Sequence, residues 1–340
     1  MKPIDLHNHV LPEPILAAME ANPKLYRSEI RRDGAKRMLK LGHNVFELTP
    51  EFYDAEAKVE IMERKGIQIS AISPGPQSFC YWLDESDAVH AARLVNDGIA
   101  AMVEKRPDRL RGMGTLPMRH PEAAIAELER IVKLLGFKAI EIATAIGNEE
   151  LAETKFRPIL RRAQELKVLV FTHPNTMGSS APRLDCYYLL NLIGNPLDTT
   201  IMMARLMFSG ALDELRDLKL LVAHGGGFTP YQIGRWEHGH AVRPDTSCDT
   251  RSKPLELFQR FYFDALTHHP QSLRHLIDMV GSDHITLGTD SPFDMGEERP
   301  VEQLNAVPHL TKKVILFSCL IYSNRLRFQS INFLLLRKTN

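Results

Sequence analysis

The first residues suited to metal chemistry are two histidines near the start of the chain, in the segment Asp5-Leu6-His7-Asn8-His9. Side chains alternate between the two faces of a β-strand, so His7 and His9 would project to the same side of such a strand. Two imidazoles placed in this way can bind one metal ion. A His-x-His pair also occurs in proteins without a metal. Whether this pair binds one has to be judged from its position relative to other ligand-type residues.

Three further ligand-type residues stand at the ends of apolar runs. His173 and His224 each close such a run, and Asp290 directly follows a third. If the runs are parallel strands, these side chains meet at the rim where barrel enzymes place their catalytic groups. Three histidines and one carboxylate suit zinc and would tolerate manganese or iron. We therefore predict one divalent ion, zinc above the others, bound by His7, His9, His173 and Asp290.

His224 is predicted to act as a general acid/base. It precedes three glycines in Ala223-His-Gly-Gly-Gly, which would let a substrate approach the imidazole closely. Two alternatives remain: an incidental histidine before a glycine turn, or a fourth histidine ligand. The run Ala139–Ala143 contains no lysine that could be carboxylated to bridge two ions, which favours one metal over two.

Short apolar runs alternate with longer helix-like stretches along most of the chain. Such alternation is typical of β-α units that build a parallel sheet, and eight units close into a barrel. We predict a (β/α)8 TIM barrel of the α/β class over residues 1–310. The predicted strands are Ile4–His9, Ile67–Ser73, Leu110–Leu116, Ala139–Ala143, Val168–His173, Leu218–His224, Phe261–Ala265 and Ile285–Thr289.

Two segments interrupt this alternation, and the end of the chain differs from the rest. Residues 11–53 form an insertion after the first strand, and residues 185–210 enlarge the connection after the fifth; both are predicted to be lids or walls of the site. Residues 311–340 form an atypical tail that mixes basic and bulky apolar residues and contains no Asp or Glu. A terminal helix with an extension, an altered C-terminus or a self-association surface would each explain the tail.

Composition narrows the class of function. The chain has 42 basic and 42 acidic residues, so no overall charge would attract nucleic acid or an anionic membrane. The four cysteines are widely spaced and form no C-x-x-C pair, which argues against a disulfide framework or a cysteine zinc site. No signal peptide or membrane span is apparent. We expect a cytoplasmic protein that acts on a small molecule.

Seven stretches spread over about residues 1 to 300, taken with the His-x-His segment, are similar to one known family. The resemblance is to the amidohydrolase superfamily, and within it to the branch of 2-amino-3-carboxymuconate 6-semialdehyde decarboxylase. The stretches are Gly112-Met-Gly-Thr-Leu-Pro-Met, Leu135-Gly-Phe-Lys-Ala-Ile, Phe171-Thr-His-Pro, Ala223-His-Gly-Gly-Gly, Ile233-Gly-Arg-Trp-Glu-His-Gly, Phe261-Tyr-Phe-Asp-Ala-Leu and Leu287-Gly-Thr-Asp-Ser-Pro-Phe.

The resemblance implies a metal-dependent, non-oxidative decarboxylase of a small unsaturated or aromatic carboxylic acid. The metal would lie on the four ligands named above, with His224 as the acid/base toward a metal-bound water. His224 or Asp290 would deliver the proton that replaces the departing CO2.

The resemblance also implies residues that contact the substrate. The family meets substrate carboxylates with two arginines, one of them contributed across a dimer interface. Arg235 matches that second arginine and implies a homodimer, whereas Glu47 stands where the first would be. An anion at that position would repel a dicarboxylate substrate. Phe293 matches a pocket-lining aromatic residue and His268 a family histidine; core packing and a polar group at a helix start are the alternatives for these two.

Two other functions remain open from the sequence. The same site could serve a metal-dependent hydrolase or hydratase acting on a small ester, lactone or enol, which would tolerate Glu47 because no second carboxylate need be bound. The chain could also be a binding protein without catalysis, against which the intact ligand set argues.

Overall fold

The central element is a parallel β-sheet that curves into a barrel. The structure, a computed structural model, describes residues 3–34, 36–41, 44–175 and 182–308. Its strands follow one another around the barrel in chain order, and a short segment after the first strand continues it along the second. Every ladder between these strands is parallel. The predicted barrel is confirmed, and the predicted tail 311–340 lies outside the described residues.

The observed strands lie inside or close to the predicted runs. Within the described residues the barrel strands are β1 Ile4–Asp5, β2 His9–Val10, β6 Ile69–Pro74, β7 Leu110–Gly114, β8 Ala139–Ala143, β11 Leu169–His173, β12 Leu220–Val222, β13 Tyr262–Asp264 and β14 Ile285–Thr286. The strands outside the barrel are β3 Ser28–Asp33, β4 Lys36–Leu41, β5 Asn44–Glu47, β9 Ala145–Ile146 and β10 Glu149–Glu150.

Helices surround the sheet and supply the return connections. In chain order they are α1 Glu13–Ala21, α2 Ala55–Arg64, α3 Glu85–Lys105, α4 Pro121–Lys133, α5 Arg157–Glu165, α6 Asn195–Phe208, α7 Ala211–Glu214, α8 Thr229–Val242, α9 Pro254–Phe258, α10 Pro270–Val280 and α11 Pro300–Asn305. Among the described residues, no helix has both the length and the apolar composition needed to cross a membrane.

Local sequence signals explain where several helices begin and which face they bury. The Asp54 carboxylate caps α2 by accepting the amide of Ala57 at 2.8 Å. Proline occupies the first position of α10, where its missing N–H costs nothing. The apolar residues of α10 recur at intervals of three and four, so they form one buried stripe: Leu273, Leu276, Ile277 and Val280.

The buried apolar residues form two clusters. They are separate because successive side chains along a strand point to opposite faces of the sheet. The larger cluster includes Ile140, Val170 and Val222 and lies between the sheet and the helices. The smaller cluster fills the barrel interior beneath the catalytic rim. Its members are Ile4, Leu6, Ala71, Met113, Ala139, Leu169, Phe171, Leu221 and Ala223.

The barrel closes between its last and first strands without a continuous ladder. Two isolated parallel bridges, Asp5↔Leu287 and Asn8↔Ser291, span this seam. The Asp5 carboxylate adds a 2.7 Å hydrogen bond from the Thr289 hydroxyl. Polar contacts therefore replace regular strand pairing beside the predicted ligands.

The two insertions form distinct structures. Residues 11–53 contain α1 and an antiparallel sheet in the order β3-β4-β5. Residues 185–210 contain a π-helical turn, Leu190–Gly194, followed by α6. The division of the chain into a barrel domain of residues 1–310, with an insertion at 11–53, and a separate tail stays a prediction.

The close packing of the seam yields a stability prediction. A Cβ on Gly288 would lie 2.8 Å from the His7 Cβ and 3.1 Å from the Asp264 Cβ. We expect Gly288→Ala to lower the free energy of unfolding by about 1–3 kcal/mol, since overpacking forces neighbours apart. Urea denaturation measures this. Gly239→Ala is the control, because its Cβ would meet no heavy atom of the described residues within 4 Å outside its own helix; equal losses for both variants would contradict the prediction.

Candidate metal centre

Four buried side chains converge at the carboxyl-terminal rim of the barrel. The donor atoms of His7, His9, His173 and Asp290 all lie within 4.8 Å of one another. The His7 Nε2 is 3.1 Å from the His9 Nε2, and the Asp290 Oδ1 is 3.3 Å and 3.2 Å from these two nitrogens. The structure thus brings together all four residues predicted as ligands.

Each of the three histidines directs its other ring nitrogen toward an acceptor. The Nδ1 of His7 is 2.6 Å from the Asp264 Oδ2, that of His9 is 3.3 Å from the Pro74 carbonyl, and that of His173 is 2.8 Å from the Pro174 carbonyl. Acceptors at Nδ1 favour a proton there, which leaves the lone pair on Nε2 for a metal. All three Nε2 atoms face the common centre.

The charges around the centre favour a cation. Burial opposes protonation of His7, but the Asp290 and Asp264 carboxylates outweigh it and raise the pKa of His7 to about 10. The pKa of Asp290 is held well below its usual range: burial opposes ionisation, and the neighbouring histidines overcome that effect. Burial, followed by the nearby histidines, keeps the pKa of His173 well below its usual value, so this imidazole stays neutral.

The donor set fits a single divalent metal ion. His173 Nε2 is buried and has no hydrogen-bond partner among the described residues. A buried polar atom without a partner is costly, and coordination to an ion would satisfy it. Three imidazole nitrogens with one carboxylate oxygen match the ligand chemistry of zinc and of other first-row divalent ions.

Asp264, the last residue of β13, supports this centre although the sequence analysis gave it no role. Besides His7, its carboxylate accepts the backbone amides of His224 and Gly225 at 2.8 Å each, and that of Leu266 at 3.1 Å. Its pKa is lowered: burial opposes ionisation, but the hydrogen bond and charge of His7 prevail. One carboxylate therefore fixes both a metal ligand and the backbone of the predicted acid/base.

His224 lies beside the centre and faces a cavity. Its Nε2 is 3.5 Å from the Asp290 Oδ2, and its side chain is 17% exposed. Its backbone has a φ of 54°, a left-handed conformation that is uncommon for residues other than glycine and that functional sites can hold under strain. The Nδ1 is buried without a hydrogen-bond partner among the described residues.

The cavity that His224 and Asp290 face measures about 660 Å³. This volume suits a small organic molecule. The described residues that line it include four imidazoles and several apolar groups but no lysine or arginine. His268 is among the lining imidazoles, and the second insertion contributes Asn191, Leu192, Asn195 and Pro196.

Phe293 and Glu47, which were also predicted to contact the substrate, do not line this cavity. Phe293 packs against the His9 ring at 5.3 Å between centroids and against Phe46 at 5.9 Å. Glu47 does not line the cavity; its Oε2 accepts from Lys36 Nζ at 2.7 Å within the small antiparallel sheet. Its neighbour Phe46 takes the face toward Phe293, so strand alternation turns Glu47 away.

Arg235 is exposed on α8 and does not line the cavity of its own chain. It makes no hydrogen bond or ion pair with any residue in the part of the chain that the structure describes. The guanidinium is therefore free to meet a partner outside this chain.

Two more buried charged residues lie close to the ligands. Glu141, on β8, is fully buried, and its Oε2 is 3.5 Å from the His9 Nδ1. Lys58, on α2, donates to the His9 carbonyl at 3.2 Å. A sequence signal existed for both, because each interrupts an otherwise apolar, inward-facing pattern.

Comparison with known proteins identifies the family. Residues 4–312 match the family described as Amidohydrolase. The chain belongs to the amidohydrolase family. Among its relatives is 2-amino-3-carboxymuconate-6-semialdehyde decarboxylase of Dictyostelium discoideum, which is 32% identical over 92% of this chain and 89% of the relative.

Solved structures share the amidohydrolase fold. The 5-carboxyvanillate decarboxylase of Sphingomonas paucimobilis has a TM-score of 0.79 and 20% identity, over 95% of this chain and 99% of that chain. A dihydroxybenzoic acid decarboxylase of Polaromonas sp., solved with manganese and the inhibitor 2-nitroresorcinol, has a TM-score of 0.76 and 24% identity, over 93% and 94%. The fold predicted from the sequence agrees with both.

The contacts of Asp264 yield a prediction for this amidohydrolase. Asp264→Asn keeps the shape of the side chain but removes the charge that holds His7. We expect metal affinity to fall by about 10–100-fold, the usual effect of losing a partner of a metal-binding histidine. Competition with a fluorescent chelator measures it. Asp283→Asn, an exposed position, is the control, and unchanged affinity in Asp264→Asn would refute the role of this carboxylate.

Proposed function

We propose that this amidohydrolase is a metal-dependent, non-oxidative decarboxylase of a small aromatic or unsaturated carboxylic acid. The observation that carries the proposal is that His224 and Asp290 lie together at the wall of one cavity, with the donor atoms of the other three candidate ligands within 4.8 Å of that of Asp290. Several relatives are named as decarboxylases of such acids, and these names support the same reaction.

The reaction breaks the bond between the carboxylate and a substrate carbon, leaves the electron pair on that carbon and requires one proton there. When bound, a divalent ion polarises a substrate oxygen and stabilises negative charge that develops as CO2 leaves. His224 Nε2 is the group best placed to hold and deliver the proton. Asp290, 3.5 Å away, is the partner that would stabilise the protonated imidazole.

The lining of the cavity favours a substrate with a single carboxylate. A second carboxylate would need a cation, and the lining that the described residues of this chain contribute contains none, so only Arg235 of a second protomer could meet it. The imidazoles of His268, His269 and His275 would instead suit hydroxyl or amino substituents beside the reacting carboxylate. His268 therefore serves as a substrate contact in this proposal, and Phe293 as an apolar support behind His9.

Zinc, a homodimer and a cytoplasmic location stay predictions. Zinc suits the three imidazoles and the carboxylate, and the Polaromonas relative, solved with manganese, makes manganese the first alternative. A homodimer would let Arg235 of one protomer reach the cavity of the other. Exposed apolar side chains that line the cavity support such pairing: Leu192, Phe228 and Tyr231.

His224→Asn tests the acid/base role. The variant should keep about one metal per chain, because the imidazole is not among the four ligands, while kcat for CO2 release falls by about 10²–10⁴-fold. Elemental analysis and a CO2-release screen over 2-hydroxy- and 2-aminobenzoic acids, with matched dicarboxylic acids, measure both quantities. His90→Asn changes an exposed histidine on α3 and should leave both unchanged.

The screen also separates the alternatives. Bound metal without CO2 release from any of the acids would favour the alternative function of a hydrolase or hydratase. Absence of metal after reconstitution, or equal metal content in wild type and His9→Ala, would refute the metal centre.

Arg235→Ala tests the contribution of a second protomer. If Arg235 binds substrate across an interface, KM should rise by about tenfold or more, the cost of losing a charge-assisted hydrogen bond, while metal content stays constant. Steady-state kinetics with the best substrate measure this, and sedimentation gives the oligomeric state. Arg243→Ala, which removes an exposed arginine paired with Asp245 near the end of α8, is the control. An unchanged KM in Arg235→Ala would contradict the shared site.

A further inference from the structure

A buried lysine lies behind the metal ligands at the seam of the barrel. Lys58, on α2, has a side chain that is 1% exposed. Its Nζ donates to the carbonyls of His9 and Ser291, at 3.2 and 3.4 Å, and to the Glu51 Oε1 at 3.3 Å. An ammonium group has three hydrogens to donate, and the contacts account for all three.

The two carbonyls that Lys58 contacts belong to the ligand-bearing ends of the first and last barrel strands. His9 is a candidate ligand, and Ser291 directly follows another, Asp290. The His9 amide also donates to the Ser291 carbonyl at 2.8 Å, so the two strand ends are held together at this level. After the Asn8–Ser291 bridge, the structure records no further β-bridge between these two strands among the described residues.

We propose that Lys58 is a positioning residue that sets the spacing between His9 and Asp290 and so tunes metal affinity. A buried ammonium that lost its partners would carry a large desolvation cost, which makes its three contacts mutually dependent. Glu51, itself 8% exposed, supplies the compensating charge. Movement of either strand end would stretch a contact of this ammonium group.

A second lysine on the same helical segment separates positioning from simple stability. Lys65 directly follows α2 and is also buried; its Nζ donates to the Glu297 carbonyl and the Glu298 carboxylate at 3.0 Å each. Both of its partners lie outside the ligand set and are not adjacent to a ligand in sequence. Lys65→Met therefore removes a comparable buried lysine that contacts neither a candidate ligand nor a residue next to one in sequence.

The experiment compares Lys58→Met with Lys65→Met. The dissociation constants of Zn2+ and of Mn2+ are measured on metal-free protein by chelator competition at low temperature, together with the thermal midpoint of each apoprotein. We expect Lys58→Met to weaken binding of both ions by about tenfold or more. The dissociation constants of Lys65→Met should stay within about twofold of wild type, even if its thermal midpoint falls as far as that of Lys58→Met.

Wild-type affinity in Lys58→Met, or equal weakening in both variants, would overturn the proposal and leave Lys58 a purely structural residue. If Lys58→Met does not fold, Lys58→Gln is measured in its place, because it keeps a neutral donor of similar size. A rise of about threefold or more in its dissociation constant supports the proposal, and an unchanged constant overturns it. These readouts concern ion binding and do not depend on the reaction that the enzyme performs.

Discussion

The contact between Asp264 and His7 is the interaction on which the rest of the site depends. This carboxylate faces the His7 Nδ1 at 2.6 Å and also accepts the amides of His224 and Gly225. It thereby links the first, sixth and seventh strands of the barrel at the rim. The orientation of His7, a candidate metal ligand, and the backbone conformation at His224, the proposed acid/base, are consequently fixed by one group, which is itself fully buried and has little freedom to move.

Backbone strain at the rim is tolerated because this network restrains it. His224 and Asp290 both have a positive φ, at 54° and 53°, a conformation that costs of order 1–3 kcal/mol for a non-glycine residue. The His224 amide is held by Asp264, and the Asp290 amide donates to the His7 carbonyl at 2.8 Å. The strained residues are thus held by the same strands that carry the ligands. Their side chains can then face each other across 3.5 Å at the cavity wall.

The sequence predicted the barrel, and also that the four candidate ligands lie together, because both depend on local order. Apolar runs show where strands end, and parallel strands bring their ends to one rim, so His173 and Asp290 could be assigned without knowledge of distances. Asp264, Glu141 and Lys58 were missed because their importance arises from contacts between distant parts of the chain: Asp264 meets His7 across 257 residues, and Lys58 meets Ser291 across 233. Glu47 was expected at the substrate because it stands where the resembling family has an arginine. The pleat of β5 and the ion pair with Lys36 direct its side chain away from the described cavity.

The remaining question is why so many charges are buried at the floor of the cavity. Asp264, Asp290 and Glu141 lie around three histidines, and in the protein alone the two aspartates raise the pKa of His7 to about 10. A proton on His7 therefore supplies part of the positive charge that these carboxylates require. A divalent ion would supply more positive charge at the same point and would be held by the Nε2 lone pairs, which the acceptors at Nδ1 leave available. The arrangement that favours a proton on His7 in the apoprotein therefore also suits a divalent cation at the same point, and coordination would satisfy His173 Nε2, which has no hydrogen-bond partner among the described residues.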